Sequence, residues 1–203
     1  MKEAPIPYIQ GIVNWDVVPK LTIGESLYGK ACTAAAFAQI CRSNDALILH
    51  MAARNQEVRR EENGLLGMPC HDSCLEFFFC PDEQDLRYLN IEFNANGCLY
   101  LGFGSGPEDH MRIVIDEAAQ RTLFSPKIAI GEDGWDLYFQ VPYALIRRFF
   151  PDWSPAAGKA IRANFYNCGD NLAEPHYLTW NPICREGRML FHTPAQFGLL
   201  RFE

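Results

Sequence analysis

Hydrophobic and polar residues alternate with a period of two through most of this chain, in short runs broken by Gly, Asn, Asp and Pro. That pattern predicts strands joined by tight turns. The runs fall at 31–41, 46–51, 74–79, 86–94 and 98–103, and again at 127–130, 135–141, 160–167, 176–180 and 197–202. Arg42-Ser43-Asn44-Asp45 separates the first two as a hairpin turn. Asp82-Glu83-Gln84-Asp85 and Asn94-Ala95-Asn96-Gly97 separate the next three, which predicts a meander. Gly131-Glu132-Asp133-Gly134 marks a further hairpin. Helical periodicity surfaces at one place, 143–150, with Pro142 near its first position and Pro151 stopping it. About ten strands and one short helix predict an all-β fold, an antiparallel β-sandwich of jelly-roll type. No repeat, low-complexity tract or linker divides the chain. Residues 1–203 are therefore read as a single domain, with 1–30 as an N-terminal extension packed on it.

The same alternation assigns faces. Within 74–79, Glu76 and Phe78 share one face and Leu75, Phe77 and Phe79 the other. Within 86–94, Tyr88, Asn90, Glu92 and Asn94 lie opposite Leu89, Ile91 and Phe93. A third polar and aromatic set runs through Asn164-Phe165-Tyr166-Asn167 and His176-Tyr177-Leu178-Thr179-Trp180-Asn181. A carboxylate in an apolar strand is costly unless it meets solvent or a partner. Two readings follow: these are the solvated outer faces of antiparallel strands, or they form a concave face whose amides, carboxylates and rings suit a sugar. Sugars offer C–H faces for stacking and hydroxyls for paired donors and acceptors.

Composition narrows the choice of partner. With 18 Lys+Arg against 25 Asp+Glu the formal charge is −7, and Arg59-Arg60 and Arg147-Arg148 are isolated pairs. Nucleic acid, which needs a basic face, is not an expected partner. No apolar stretch approaches the length of a membrane span, and the N-terminus has no apolar leader core. The expectation is a cytoplasmic chain, away from membranes, with reduced thiols. Its eight cysteines then read as small buried hydrophobes rather than a disulfide framework. Cys70-His71-Asp72-Ser73-Cys74 is the densest set of metal-ligand types, but zinc would need a further ligand from elsewhere, and no metal is assigned to it. The chain has no Gly-x-Ser-x-Gly elbow, phosphate loop, His-Glu-x-x-His or Cys-x-x-Cys, so the commonest local catalytic motifs give no support to an enzyme.

Taken in order, Asp72-Ser73-Cys74-Leu75-Glu76-Phe77-Phe78, Tyr88-Leu89-Asn90-Ile91-Glu92-Phe93-Asn94 with Gly97, Asn164-Phe165-Tyr166-Asn167-Cys168-Gly169-Asp170, His176-Tyr177-Leu178-Thr179-Trp180-Asn181-Pro182 and Phe191-His192-Thr193-Pro194 with Phe197-Gly198 resemble the family 9 carbohydrate-binding modules. The likeness runs from about residue 31 to 202. It implies a sandwich of the sugar- and haem-binding superfamily and a non-catalytic role in binding a mono- or oligosaccharide. In such modules two tryptophans hold the sugar while a strand carboxylate and nearby polar groups bond its hydroxyls. One tryptophan falls on Trp180 and the carboxylate on Glu76. Asn90, Glu92, Asn164, Tyr166, His176 and Tyr177 are the expected companions. Cys70 stands where the second tryptophan would, so His71, Tyr88 or Tyr177 must replace that ring or sugar affinity falls. Calcium is implied by the resemblance only, and no other cofactor is expected; Asp82, Glu83 and Asp85 read as a solvated turn.

Two alternatives come from other classes. A haem-binding electron-transfer sandwich would use His50-Met51 or His110-Met111 as axial pairs. A glycoside hydrolase would use Glu76 and Glu92 as its two carboxyls.

Overall fold

The computed structural model describes residues 1–27, 32–183 and 190–203; Ala31, the first residue of the predicted 31–41 run, and Cys184 lie outside them. The strands are β1 (Glu3–Ile6), β2 (Leu21–Ile23), β3 (Glu25–Ser26), β4 (Ala35–Arg42), β5 (Ala46–Arg54), β6 (Cys74–Cys80), β7 (Tyr88–Asn94), β8 (Leu99–Gly104), β9 (Met111–Arg112), β10 (Lys127–Ile130), β11 (Gly134–Pro142), β12 (Ala160–Gly169), β13 (His176–Thr179) and β14 (Gly198–Phe202). Two helices, α1 (Glu117–Phe124) and α2 (Tyr143–Phe149), complete the regular structure. Neither is long and apolar enough to cross a membrane.

The strands form two sheets. One has five strands in the order β10-β11-β5-β4-β2, and the other has nine, β1-β14-β12-β6-β7-β8-β9, with β13 pairing β12 and β3. The predicted hairpin β4-β5 and meander β6-β7-β8 are both present and antiparallel. The fold is the expected β-sandwich, with one local departure: β1 runs parallel to β14.

Inward-facing residues build the core as the alternation requires. Leu75, Phe77 and Phe79 of β6 and Leu89, Ile91 and Phe93 of β7 meet Leu49 and Met51 of β5 and Leu137 and Phe139 of β11. Phe77 stacks on Phe79 at 4.8 Å and on Phe165 at 5.0 Å, and Phe93 meets Phe139 across the sheets at 5.5 Å. Such ring pairs add about 0.5–1.5 kcal/mol each beyond area burial.

The N-terminal residues are part of the sheets rather than packed on them. β1 extends the nine-stranded sheet, β2 the five-stranded one, and β3 joins β13. Helix α1 was not expected either. Its signal is Asp116, whose carboxylate accepts the Ala119 amide at 2.7 Å as an N-cap, followed by Glu117-Ala118-Ala119. The helix buries Phe124 edge-on against Phe93; an eight-residue segment with a single buried anchor leaves little periodicity to detect.

The outer face of the nine-stranded sheet is not simply solvated. Phe78, Tyr88 and Tyr166 are fully buried there in a second apolar cluster with Leu27, Cys80, Ile183 and Phe197. The returning chain covers them: Phe191 stacks on Tyr166 at 4.0 Å, His192 packs on Phe78 at 5.2 Å, and Phe197 meets Tyr88 edge-on at 5.9 Å.

Candidate functional site

The rest of that outer face is where polar groups gather. Strand register places Tyr100 opposite Glu92, Glu92 opposite Glu76, Glu76 opposite Tyr166, and Tyr166 opposite Thr179, one row across five strands. A second row on the same face runs Asn94, Cys74, Cys168, Tyr177. The Pro69–His71 turn borders it, tied to the end of β12 by the Asp170 amide on the Cys70 carbonyl at 2.8 Å and the Asn171 amide on the His71 carbonyl at 3.1 Å.

Glu76 is 2 % exposed and Glu92 7 %. The Cys168 thiol donates to Glu76 Oε1 at 2.8 Å, and Asn90 Nδ2 donates to Glu92 Oε1 at 2.7 Å. Burial is the main reason that both carboxyls titrate above the usual glutamate range. Thiol hydrogen bonds partly offset it at Glu76, which is pushed up to about 7. At Glu92 the charge of Glu76 adds to burial and Arg112 opposes it, leaving its pKa well raised. A protonated carboxyl can both donate and accept, which is what a hydroxyl-rich ligand requires.

Half-buried groups ring these acids. The Arg112 guanidinium lies 4.6 Å from the Tyr100 ring centroid. Its Nη2 also donates to the Gly67 carbonyl at 2.7 Å and the Leu65 carbonyl at 3.1 Å, clamping the 65–67 loop beside the site. On the far side the Tyr177 hydroxyl donates to Asp170 Oδ1 at 2.8 Å, and its ring meets Phe191 edge-on at 6.4 Å. His71 Nδ1 lies 3.1 Å from Glu62 Oε1. Tyr100, Arg112 and Asp170 escaped the sequence reading. For Tyr100 the signal was available: it has the parity of Glu92 in a neighbouring strand.

Two further groups lie deeper on this face. Tyr88 is buried, its hydroxyl 2.6 Å from His192 Nδ1 and 3.1 Å from His110 Nδ1. Asn90 Oδ1 and His110 Nε2 are buried without partners among the described residues, and both crowd the space where a side chain at Gly102 would begin. That position admits only glycine without displacement.

Several expected ligand residues are elsewhere. Trp180 is 3 % exposed and belongs to the core between the sheets, edge-on to Phe165 at 5.8 Å. Its ring occupies the place a side chain at Gly198 would need, so it offers no face to a sugar. Asn164 is buried and structural: its Oδ1 accepts the Asn181 amide at 2.8 Å and its Nδ2 donates to the Asn181 carbonyl at 3.0 Å. His176 has the opposite parity to Tyr177, with its ring nitrogens 3.1 Å from the Glu174 carbonyl and Asn167 Oδ1. It lines a separate cavity of about 400 Å³ with Gln56, Glu57 and Leu172. Tyr166 is on the right face but lies under Phe191.

The alternatives fare differently. His50 and Met51 point to opposite faces of β5: the His50 ring is 4.3 Å from Tyr138 and held by Gln39 and Asp136, while Met51 is in the core. His110 packs on Tyr88 and Met111 is exposed. Neither pair converges on one point. Glu76 and Glu92 do face one another across β6 and β7, each with its pKa raised by burial, and this pairing alone does not divide the acid and ionised roles that a retaining or inverting pair needs. In the 82–85 turn, Asp85 grips Arg87 at 2.5 Å and Asp82 accepts the Gln84 amide at 2.9 Å.

No curated protein matches the sequence significantly. Among solved structures, a protein of Bacteroides uniformis ATCC 8492, provisionally assigned as carbohydrate-binding, superposes with a TM-score of 0.82 at 24 % identity, covering 100 % of this chain and 99 % of that one. A family 9 module of Caldicellulosiruptor kristjanssonii in complex with glucose gives 0.69 at 12 % identity over 100 % and 96 %. The cellotriose complex of such a module from the same organism gives 0.68 at 13 % over 100 % and 94 %. These likenesses show a shared fold. The sequence pattern of carbohydrate-binding family 9 matches residues 11–202, and the chain belongs to that family.

Proposed function

We propose that this protein is a non-catalytic carbohydrate-binding module that takes its saccharide on the outer face of the nine-stranded sheet, between Tyr100 and Tyr177. The observation that carries the reading is the cross-strand row Tyr100, Glu92, Glu76: a half-exposed ring beside two buried carboxyls. A pyranose laid against Tyr100 would stack its C–H face on the ring and place hydroxyls over Glu92, with His71 and Asp170 bonding the opposite edge. Membership of family 9 supports the class of ligand, and related modules have been solved with glucose and cellotriose. Trp180, locked in the core, serves the site only by holding β13 in place.

The test is thermal denaturation with a panel of mono- and disaccharides and short β-glucans. A dose-dependent rise in melting temperature that disappears in Tyr100→Ala supports the reading. A flat response across the panel, in protein whose melting is cooperative, overturns it.

A further inference from the structure

We propose that Cys74, Cys168 and Glu76, with half-buried Cys70 beside them, form a binding site for a single soft divalent cation of the zinc type. The inference shares Glu76 with the saccharide reading but does not rest on it; it uses the buried floor of the same face.

Strand geometry builds the site. Cys74 and Cys168 are paired residues on β6 and β12, and Glu76 follows Cys74 by two positions, so all three side chains leave the sheet on one side. Both thiol sulfurs and a Glu76 oxygen lie within 4.8 Å of one another, and all three residues are buried. The contact between Cys168 Sγ and Glu76 Oε1 is 2.8 Å, held by one thiol proton. Glu76 Oε2 is buried with no hydrogen-bond partner among the described residues, an unpartnered oxygen of the kind that calls for an explanation. A second set adjoins the first: the Cys70 sulfur, His71 ring and Asp170 carboxylate also lie within 4.8 Å of one another.

The donor set points the same way: two thiols and a carboxyl, with the Cys70 thiol beside them, converge in one buried place. A divalent ion would bind there with each coordinating group releasing its proton to bulk water as its bond to the metal forms. Two or three thiolates with one carboxylate suit zinc, and disfavour magnesium and calcium, which take oxygen ligands. Half-buried Cys70 and His71 and exposed Asp170 give the route from solvent.

The experiment uses the full chain, reduced and stripped with chelator, titrated with cobalt(II) as a spectroscopic stand-in for zinc. The expected result is a thiolate charge-transfer band with tetrahedral visible bands saturating at one cobalt per chain, abolished by added zinc. Zinc, but not magnesium, should raise the melting temperature. Cys74→Ser and Cys168→Ser should lose the band, and Cys32→Ser, at a remote site, should keep it. Should the serine variants fail to fold, alkylation of the wild-type protein in urea just sufficient to expose buried thiols, mapped by mass spectrometry, replaces them: zinc must protect Cys74 and Cys168 and leave Cys32 open. A reduced, folded protein that gives no thiolate band overturns the proposal, and so does a band that persists in the double serine variant or zinc protection confined to other cysteines. Because no sugar is present, failure here says nothing against saccharide binding, and a flat sugar panel says nothing against the metal.

Discussion

Glu76 and Glu92 stand directly opposite one another on β6 and β7, two carboxyls paired in register and both almost wholly removed from solvent. Like charges facing across an antiparallel pair repel, which adds to burial in raising Glu92 well above the usual glutamate range, while Glu76 is pushed up to about 7. Glu92 is therefore presented as a neutral hydrogen-bonding group. Glu92→Gln keeps a donor and an acceptor in the same place and should bind saccharide nearly as well as the parent. Glu92→Ala removes both, and losing such a bond costs about 1.5 kcal/mol, or about tenfold in affinity. Calorimetric titration separates the two; equal losses would count against a protonated Glu92.

Trp180 provides a second discrimination. As a core residue, its replacement by Ala should destabilise the fold by about 3–5 kcal/mol, read from denaturant midpoints. Trp180→Phe, which keeps a ring against Phe165, should leave saccharide affinity unchanged. Loss of binding in a stably folded Trp180→Phe protein would return the tryptophan to the site.

Asp72 anchors the border of the face. It is fully buried, 3.1 Å from Arg59 Nε, and its Oδ2 accepts the Glu62 amide at 2.7 Å and Asn94 Nδ2 at 2.8 Å. Asp72→Ala strands a buried guanidinium nitrogen and frees the 62–68 loop, so a loss of about 3–5 kcal/mol in unfolding free energy is expected. Urea denaturation at neutral pH measures it.

His110 and His192 set a pH dependence. Their rings are 4.8 Å apart, and burial lowers the pKa of both, His192 to about 4. Between that value and the ordinary 6.5, the unfolded chain binds more protons than the folded one. The stabilisation is therefore complete above pH 6.5 and is lost as pH falls towards 4, at up to about 1.4 kcal/mol per pH unit for each group. His192→Gln, which can still accept from Tyr88, should flatten that slope in melting temperatures recorded from pH 7 to 4.5. An unchanged slope would show that His192 is not responsible.

Period-two alternation was enough to assign the hairpin β4-β5, the meander and the facing of Glu76, Asn90 and Glu92, because each strand position has only two sides to choose between. It does not report what covers a face. Tyr88, Tyr166 and Phe78 have the parity of an outer surface and are buried because residues 190–197 return across them, a long-range contact invisible in local pattern. Trp180 is a different case. Alternation carried on from Tyr177 and Thr179 puts it with Leu178 on the inward side, where Gly198 leaves room for its ring; the family resemblance, not the pattern, assigned it to the sugar. Cys70 and Cys74 were visible as potential ligands in the sequence, but Cys168, brought beside them only by the pairing of β6 with β12, was not.

The proposed saccharide site lies on the face between Tyr100 and Tyr177. Isothermal titration of the wild-type protein and of Tyr100→Ala, Tyr177→Ala and Trp180→Phe with glucose and a cello-oligosaccharide series tests it most directly. Measurable binding by the wild type, loss in both tyrosine variants and retention in Trp180→Phe are expected; binding that survives in both tyrosine variants would place the saccharide elsewhere.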